Sequence, residues 1–503
     1  MASKILSPLQ RSSLVIIFAT GLIKIPLVLR DIAMAGYFGI DKQMDLYLYA
    51  LIVPAFLAAL TTASFNYFFI PSYVTVKTQK GADHARQYVD QLFTLALIFM
   101  LLFTFLLGLF VPHILIRMNP GIFTRPELIT QFFVFSFLAS ALFGFQIIAL
   151  ILAFLLQAEH RYLDSLLPQA LAPVVSIFGI VLFGKSCGII SALYGGLLGS
   201  VTSFGVLYLL CHRFKIISGP GPAMALKKID VDYSQLMLLT FAFILPSLLG
   251  VIDQQMAISL GEGKLAALTY GLRLPDGITE IFCGGLSIAV FSYFSEWYAR
   301  GQHHELVEAT QKVIVFSTLL LIPMSLFLFL CARPIISLLF ERGAFTLEAT
   351  MLVSQNLKFY CFAMYFVVVA TIGAKVISAI RENRFFLGFA IKLFVIKIVF
   401  NIVFIRVLGI NGIALASVIT HIASCALVFI FLYKKGIHIL EKSFFLRIFR
   451  CILFILCLLI MAVLMTAWMS GYLPILQIFS ILLMFAGSMA AVLKLNFKYH
   501  FFY

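Results

Sequence analysis

The sequence predicts an all-α polytopic membrane protein, and its composition is the first reason. Hydrophobic residues make up 62% of the 503 residues and charged residues only 11%, with a mean hydropathy of +1.08. A soluble globular chain carries roughly 25% charged residues. Uncharged stretches such as 93–111 and 452–467 have the length of a membrane-spanning helix, which needs about 20 mainly apolar residues. No polar stretch is long enough to form a large soluble domain.

The second reason is that the chain repeats itself. Asp31 recurs as Asp253 and Pro112 as Pro334, about 222 residues later. Further matches at nearly the same spacing join Tyr49 to Tyr270, Pro54 to Pro275, residues 121–124 to 343–346, and residues 159–162 to 382–385. A long internal repeat in a membrane protein indicates two similar halves around a central site, as in transporters.

Apolar segments divide the chain into about fourteen predicted spans, separated by short loops rich in Gly, Pro and Asn. Their approximate limits are 13–38, 44–70, 89–113, 129–157, 168–184, 189–211, 233–260, 265–294, 310–333, 352–379, 386–406, 411–433, 447–469 and 474–494. Six spans form an N-terminal lobe, residues 1–215, and six form a C-terminal lobe, residues 216–435. An even number of spans per half predicts a parallel repeat, with a pseudo-twofold axis along the membrane normal. The last two spans, residues 436–503, are additional helices.

Loop charges predict the orientation. With both termini in the cytoplasm, the cytoplasmic segments hold 21 Lys and Arg residues and the opposite loops hold 8. Cytoplasmic loops of membrane proteins carry this excess, which also accounts for the net charge of +15 without nucleic acid. The eight cysteines show no CxxC pair or metal-ligand spacing with His, so we expect neither disulfides nor a metal site. No catalytic motif is present, and the glycine-rich segment 195–200 predicts close helix packing.

Charged residues remain inside the predicted spans, where one near the bilayer centre costs about 2.5–3.5 kcal/mol. The basic ones are Lys24, Arg30, Arg273, Lys358, Lys375, Lys392 and Lys397, and the acidic ones are Asp31, Asp45, Asp253, Asp276 and Glu280. Helical spacing puts Lys24 with Asp31 on one face, and Arg273 with Asp276 and Glu280 on another. These faces predict a cationic cavity between the lobes.

Several of these charges also have simpler structural interpretations. Lys358 is positioned to snorkel from a helix end, and Asp45 lies near a helix start, where Asp is a common cap. Arg30 adjoins Asp31 in sequence but is expected to point elsewhere. Asp253 has no basic neighbour in sequence, so it is either a helix-to-helix hydrogen bond or a weak candidate for a coupling cation or proton.

Motifs at these positions resemble the MurJ/MviN family of lipid II flippases. The resemblance rests on Lys24 to Asp31, on Tyr37-Phe38-Gly39, Asp45 and Pro54, on residues 157–162 with 172–174, and on the segment Leu339 to Thr346, which reads LFERGAFT. It covers about 12–435 well. That family belongs to the multidrug/oligosaccharidyl-lipid/polysaccharide exporter superfamily. Members of the family have fourteen helices, with two six-helix lobes around a central cationic cavity.

The resemblance implies a transporter rather than an enzyme. It would move undecaprenyl-diphosphate-linked peptidoglycan precursor (lipid II) to the outer leaflet of the bacterial inner membrane by alternating access. The implied substrate-binding residues are Lys24, Arg30, Asp31, Asp45 and Arg273. The helix face of Arg273 adds Asp276, and Lys375 is added as a further basic residue inside the predicted spans. The two extra helices resemble a groove for the lipid tail. No cofactor is implied, whereas coupling to membrane potential or a monovalent cation fits the class.

This chain departs from the family pattern in two places. Some members carry charges in span two, where this chain reads Ala58 to Ala63 without any, and Leu272 precedes Arg273 where an Asp can occur. The cavity would then rely on Lys375 or on the span-eleven lysines. The alternatives are a flippase for another polyprenyl-linked oligosaccharide, a multidrug antiporter of the same superfamily, a membrane-embedded transferase, or a scaffold. The sequence leaves the oligomeric state open, and a monomer would suffice.

Overall fold

The computed structural model describes residues 24–219 and 233–441, apart from 383, together with isolated residues between 444 and 487. The side chains of 62–71, 233–243 and 284–292 lie outside the description. Within the described residues the chain forms α-helices and two short 3-10 turns and contains no strand. The predicted all-α class is therefore confirmed for this part of the chain.

Eight helices cover the first half of the chain. The described part of α1 is 24–38, and the others are α2 (Lys42–Lys80), α3 (Ala82–Met118), α4 (Pro126–Ala158), α5 (Tyr162–Leu166), α6 (Leu171–Cys187), α7 (Ile190–Arg213) and α8 (Tyr233–Ser259). The 3-10 turns are Pro120–Ile122 and Leu167–Ala170. Proline stands at the start of α4 and of both turns, where a missing backbone N–H costs nothing.

Six further helices follow in the second half. They are α9 (Lys264–Ala299), α10 (His303–Leu330), α11 (Ala332–Phe340), α12 (Leu347–Ala379), α13 (Phe385–Leu408) and α14 (Ile410–Lys434). Thr346 caps α12 by accepting a hydrogen bond from the backbone N–H of Ala349. The short helices α5 and α11 were not predicted, because neither is long enough to show as a separate apolar run.

Helix boundaries repeat with the sequence. Lys42 begins α2 and Lys264 begins α9, while α3 ends at Met118 and α11 ends at Phe340. Both pairs keep the offset of about 222 residues seen in the sequence. The halves differ where α3 continues through Pro112, whereas the second half breaks at Cys331 and restarts as α11 just before Pro334. A proline in the first turn of a helix leaves no hydrogen bond unmade.

Nine of the described helical segments are long and apolar enough to cross a membrane. They establish a multi-pass membrane protein, whereas the predicted count of fourteen is not established. The first part of the predicted first span lies outside the described residues, as does most of the thirteenth and fourteenth spans. Apolar side chains exposed along α3 and α6, such as Leu101, Phe105, Phe178 and Leu182, are what a lipid-facing surface requires.

The described residues fall into two compact units, of which the first ends at Ala266 and the second begins at Ala267. Helix α8 and the first turn of α9 belong to the first unit. The predicted lobe boundary at 215/216 stays a prediction. It separates the two halves of the sequence repeat, whereas the boundary at 266/267 separates compact units.

Glycine lets α6 and α7 pack closely in the first unit. A Cβ atom added at Gly199 would lie 2.6 Å from the carbonyl oxygen of Ala172, and one at Gly195 would lie 2.9 Å from Cα of Ser176. These contacts are with backbone, which does not move aside easily. The glycine-rich segment 195–200 is thus a helix-packing surface, in agreement with the prediction.

Candidate functional site

The predicted site residues lie in both units, and the first group is on α1. The guanidinium of Arg30 donates to Asp31 Oδ1 from Nη2 at 2.9 Å and from Nε at 3.3 Å. The Asp31 side chain is only 8% exposed, whereas Arg30 is 23% exposed. Lys24, two turns before Asp31, is half-buried on the same helix. The pair keeps the buried carboxylate compensated and leaves part of the guanidinium accessible.

The expectation that Arg30 points away from Asp31 is wrong. Neighbouring Cα–Cβ bonds on a helix do diverge, but the long arginine side chain bends back and reaches the carboxylate. Removing one partner of a buried ion pair leaves an uncompensated charge, which typically costs 3–5 kcal/mol. Asp31 therefore holds Arg30 in place, and the two residues act as a unit.

Asp45 joins the start of α2 to the start of α9. Its carboxylate accepts hydrogen bonds from the backbone N–H of Gly263 at 2.6 Å and of Ala266 at 2.8 Å, and the residue is 3% exposed. The first N–H groups of a helix have no partner within the helix, so a carboxylate there satisfies them and complements the helix dipole. Asp45 caps α9, a helix distant in sequence, and does not cap α2.

Two more contacts fix the same junction. The backbone N–H of Lys42 donates to Glu262, and Gly263 lies against the carbonyl oxygen of Ile40 with φ of +75°. A Cβ at Gly263 would lie 2.3 Å from that oxygen, so glycine is required both by the backbone conformation and by the space. The segment between α8 and α9 is thereby attached to the α1–α2 turn within the first unit.

A buried polar network that the sequence did not reveal centres on Tyr49. Its hydroxyl accepts from Asn119 Nδ2 at 2.7 Å and lies 2.9 Å from Gln255 Oε1 and 3.2 Å from the Leu115 carbonyl oxygen. The hydroxyl proton serves these two acceptors, and the network ties α2 to the ends of α3 and α8. Asp253, two residues before Gln255, is buried within the last two turns of α8.

In the second unit, α9 presents Arg273, Asp276 and Glu280 at successive helical turns, as predicted. Asp276 and Glu280 are exposed and Arg273 is half-buried. Cys283, one turn further on, lies 3.7 Å from Thr371 Oγ1 on α12. Lys375 follows Thr371 by one turn on the same helix. The structure thus brings the turn of α12 that precedes Lys375 against the predicted α9 face.

The other intramembrane lysines have different surroundings. Lys397 is 3% exposed and donates to the Ser417 hydroxyl between α13 and α14, so it does not line an open surface. Lys392, on the same helix, is exposed. Lys358 lies over the Phe329 ring, 5.7 Å from its centroid, a cation–π contact. Lys375 and the span-eleven lysines were expected to supply the charge that span two lacks. Of these, Lys375 is the better placed for substrate binding, because it lies near the predicted α9 face.

The uncharged region of span two is partly explained by packing. Ala58 is buried in the hydrophobic core of the first unit, and the Thr61 hydroxyl donates to the Leu57 carbonyl. The side chains of 62–71 lie outside the description. A charge at Ala58 would have to enter that core, which is costly.

The repeated motif at the ends of α4 and α12 forms ion pairs. Glu159 accepts from Lys77 Nζ at 2.5 and 2.6 Å and from the Tyr73 hydroxyl at 2.5 Å, while Glu382 pairs with Lys435. Burial of the Glu159 carboxyl opposes ionisation, but the hydrogen bonds from Lys77 and Tyr73 outweigh it, so its pKa lies below the ordinary value. Arg161 stacks on the Phe214 ring, 3.3 Å from its centroid.

Among the described residues, no group of His, Cys, Asp and Glu side chains could hold a metal ion, and the seven described cysteines are free thiols. Most of them are buried and act as small apolar residues.

This arrangement of long apolar helices with charges inside them defines a multi-pass membrane protein. A solved structure titled "Lipid II flippase MurJ, inward closed conformation" has a TM-score of 0.76 at 20% identity, covering 96% of this chain and 99% of that one. A multidrug resistance MATE family transporter has a TM-score of 0.69 at 14% identity, covering 85% of this chain and 99% of that one. These likenesses establish the fold.

Sequence comparison supplies the family. The profile of the family described as "Lipid II flippase MurJ" matches residues 34–486. A protein of Buchnera aphidicola subsp. Acyrthosiphon pisum, named "Probable lipid II flippase MurJ", is 23% identical over 465 residues, 88% of each chain. The chain belongs to the MurJ family, as the sequence motifs predicted.

Proposed function

We propose that this protein is a lipid II flippase, a transporter that moves the peptidoglycan precursor across the bacterial inner membrane for cell-wall synthesis. Membership of the MurJ family over residues 34–486 is the observation that carries the proposal. The charges within its helices give it a physical basis. Lipid II presents a diphosphate, sugars and a peptide, and these polar groups need a shielded path through hydrocarbon.

Arg30 and Arg273 are the residues we assign to the diphosphate. A guanidinium donates two parallel hydrogen bonds to phosphate oxygens, a geometry that lysine does not reproduce. Asp31 orients Arg30 at 2.9 Å. Lys24 and Lys375 add positive charge on α1 and α12, and Asp276 lies one turn from Arg273.

For the transport cycle we propose alternating access, in which the binding residues face each leaflet in turn. Loop charges favour both termini in the cytoplasm. Coupling to membrane potential supplies about 2.3 kcal/mol per charge per 100 mV, and a monovalent cation is the other candidate driver. Asp253, buried on α8, is the residue we nominate for such coupling.

Complementation with a binding readout tests the proposal. The chain is expressed in a bacterium depleted of its own lipid II flippase, and the purified protein is titrated with undecaprenyl diphosphate. Each hydrogen bond to a charged group contributes about 1.5–3 kcal/mol, so we expect Arg273→Ala to weaken binding about 10- to 100-fold and to abolish rescue. Arg273→Lys should be intermediate, since it keeps the charge and loses the paired geometry.

Arg300→Ala is the matched control. Arg300 lies just beyond α9, is 65% exposed and pairs with Glu296 on the surface. It should rescue fully at the same protein level. Rescue by Arg273→Ala would remove that residue from the path. Failure of the unaltered chain to rescue, with normal membrane levels, would favour another polyprenyl-linked substrate or drug efflux.

A further inference from the structure

The second unit contains an apolar cavity of about 630 Å³, and none of the residues assigned above to the substrate lines it. Its walls come from α10, α12 and α14, the segment 437–440, and the helical residues Phe444 and Ile448. Pockets of about 300–1,000 Å³ are typical for small ligands. Ile430, Tyr433 and Leu440, which line it, are 52%, 64% and 46% exposed, so the cavity opens to the surface of the protein.

The interior of the cavity suits a hydrocarbon chain. Phe366, Val369 and Phe429 contribute apolar surface. Two tyrosines line the cavity: the Tyr365 hydroxyl already lies 3.0 Å from Thr318 Oγ1 on α10, and Tyr433 is 64% exposed. A polar ligand group placed among these apolar side chains would lose its hydrogen bonds to water with little compensation. Water is disfavoured for the same reason.

The wall is fixed and not a gap left by a loose loop. Buried Gln311 on α10 donates to the Ile439 carbonyl oxygen at 2.8 Å, which holds the segment after α14 against α10. Ile439 and the next residue, Leu440, both line the cavity. The shape is therefore present before any ligand binds.

Lys434, in the last turn of α14, is the single charged residue of the lining, and it is exposed at the mouth. Within the described residues Lys434 forms no ion pair, whereas the adjacent Lys435 pairs with Glu382. Arg447 adjoins the lining residue Ile448 in sequence. An apolar cavity beside an accessible ammonium fits an amphiphile with an anionic head.

We infer that this cavity is a binding site for an anionic phospholipid, with one acyl chain inside and the phosphate at Lys434. The surrounding membrane supplies such lipids, and loop charges place this end of α14 at the cytoplasmic leaflet, where anionic lipids attract basic residues. The undecaprenyl tail of a transport substrate is far longer than an acyl chain, so the cavity would hold only part of it. The inference does not depend on what the protein transports.

The test uses the purified full-length chain and counts bound lipid by native mass spectrometry. Phosphatidylglycerol is compared with phosphatidylcholine of the same chains. We expect phosphatidylglycerol to bind more tightly than phosphatidylcholine. Lys434→Gln should lower the affinity for phosphatidylglycerol about fivefold, which is the contribution expected of one lysine beside an anionic head group. Ala426→Phe, which fills the cavity, should abolish retention of both lipids while the protein stays folded.

Lys215→Gln is the matched control, because Lys215 is an exposed lysine at the end of α7, outside the cavity lining. It should bind both lipids like the unaltered chain. Equal binding of the two lipids, or equal losses in Lys434→Gln and Lys215→Gln, would overturn the inference. So would unchanged retention in a folded Ala426→Phe variant, or displacement by undecaprenyl phosphate at lower concentrations than by phosphatidylglycerol.

Discussion

Removing the Asp45 carboxylate should destabilise the junction between α8 and α9. In Asp45→Ala two buried backbone N–H groups, those of Gly263 and Ala266, lose their acceptor. Loss of an exposed cap costs about 0.5–2 kcal/mol, and a hydrogen bond to a charged group contributes about 1.5–3 kcal/mol. With Asp45 only 3% exposed, we expect the combined cost to be about 2–4 kcal/mol.

Asp41→Ala is the matched comparison for this prediction. Asp41 caps α2, accepts from the N–H of Met44 at 2.9 Å and is exposed, so its removal should cost about 1 kcal/mol. Asp45→Asn keeps one acceptor oxygen and should fall between the other two variants. The detergent-purified variants are heated to a series of temperatures, and size-exclusion chromatography measures the fraction that stays folded. The midpoints give the order of stability of the three variants.

The same variants separate the cap from a role in substrate binding, which the family resemblance implies for Asp45. If Asp45→Ala melts at the temperature of the unaltered chain yet fails to support growth, the cap argument is refuted and the carboxylate acts on substrate. If stability and rescue fall together, and Asp45→Asn restores part of both, the carboxylate acts through the position of α9.

Two further predictions concern stability. Glu159 has a folded-state pKa below its ordinary value, so its pair with Lys77 stabilises the fold above that value and the contribution is lost as pH falls through the lowered pKa. Glu159→Gln should therefore lower the melting temperature at pH 7, and this difference should shrink as pH falls below the ordinary carboxyl pKa; a difference that stays constant as the pH is lowered until the fold is lost would contradict the ion-pair argument. Gly199→Ala should destabilise by about 1–3 kcal/mol because its Cβ meets the Ala172 backbone, whereas Gly205→Ala, with nothing within 4 Å on the same helix, should stabilise by about 0.5–1 kcal/mol. Melting curves that rank the two alanines the other way would count against the packing argument.

Much of the fold was predictable because it depends on local properties. The helices follow from long apolar runs, and their ends from Pro, Gly and charged residues. The repeat was visible because both halves keep residues at helix ends, and the structure places those ends at the same spacing. The break between α10 and α11 was missed, since an apolar run does not show where a helix interrupts and restarts within it.

The candidate site was predictable in its residues more than in their partners. Burial costs single out Lys24, Arg30 and Arg273 from sequence alone. They do not distinguish a residue that meets substrate from one that meets another helix, and Lys397 turned out to be buried against Ser417. Tyr49, a tyrosine in an apolar run, gave no signal of the network with Asn119 and Gln255.

The sequence by itself determined the class of this protein. Its composition requires a membrane, its repeat requires two related halves, and its motifs place it in the MurJ family, because all three are properties of residue type and order. Only the tertiary structure decided what each charge does. Asp45 caps a helix more than 200 residues away in sequence, Asp31 holds Arg30, and Lys434 stands at the mouth of an apolar cavity. Such roles depend on which atoms lie within about 3 Å of each other, and folding sets those distances between residues far apart in the chain.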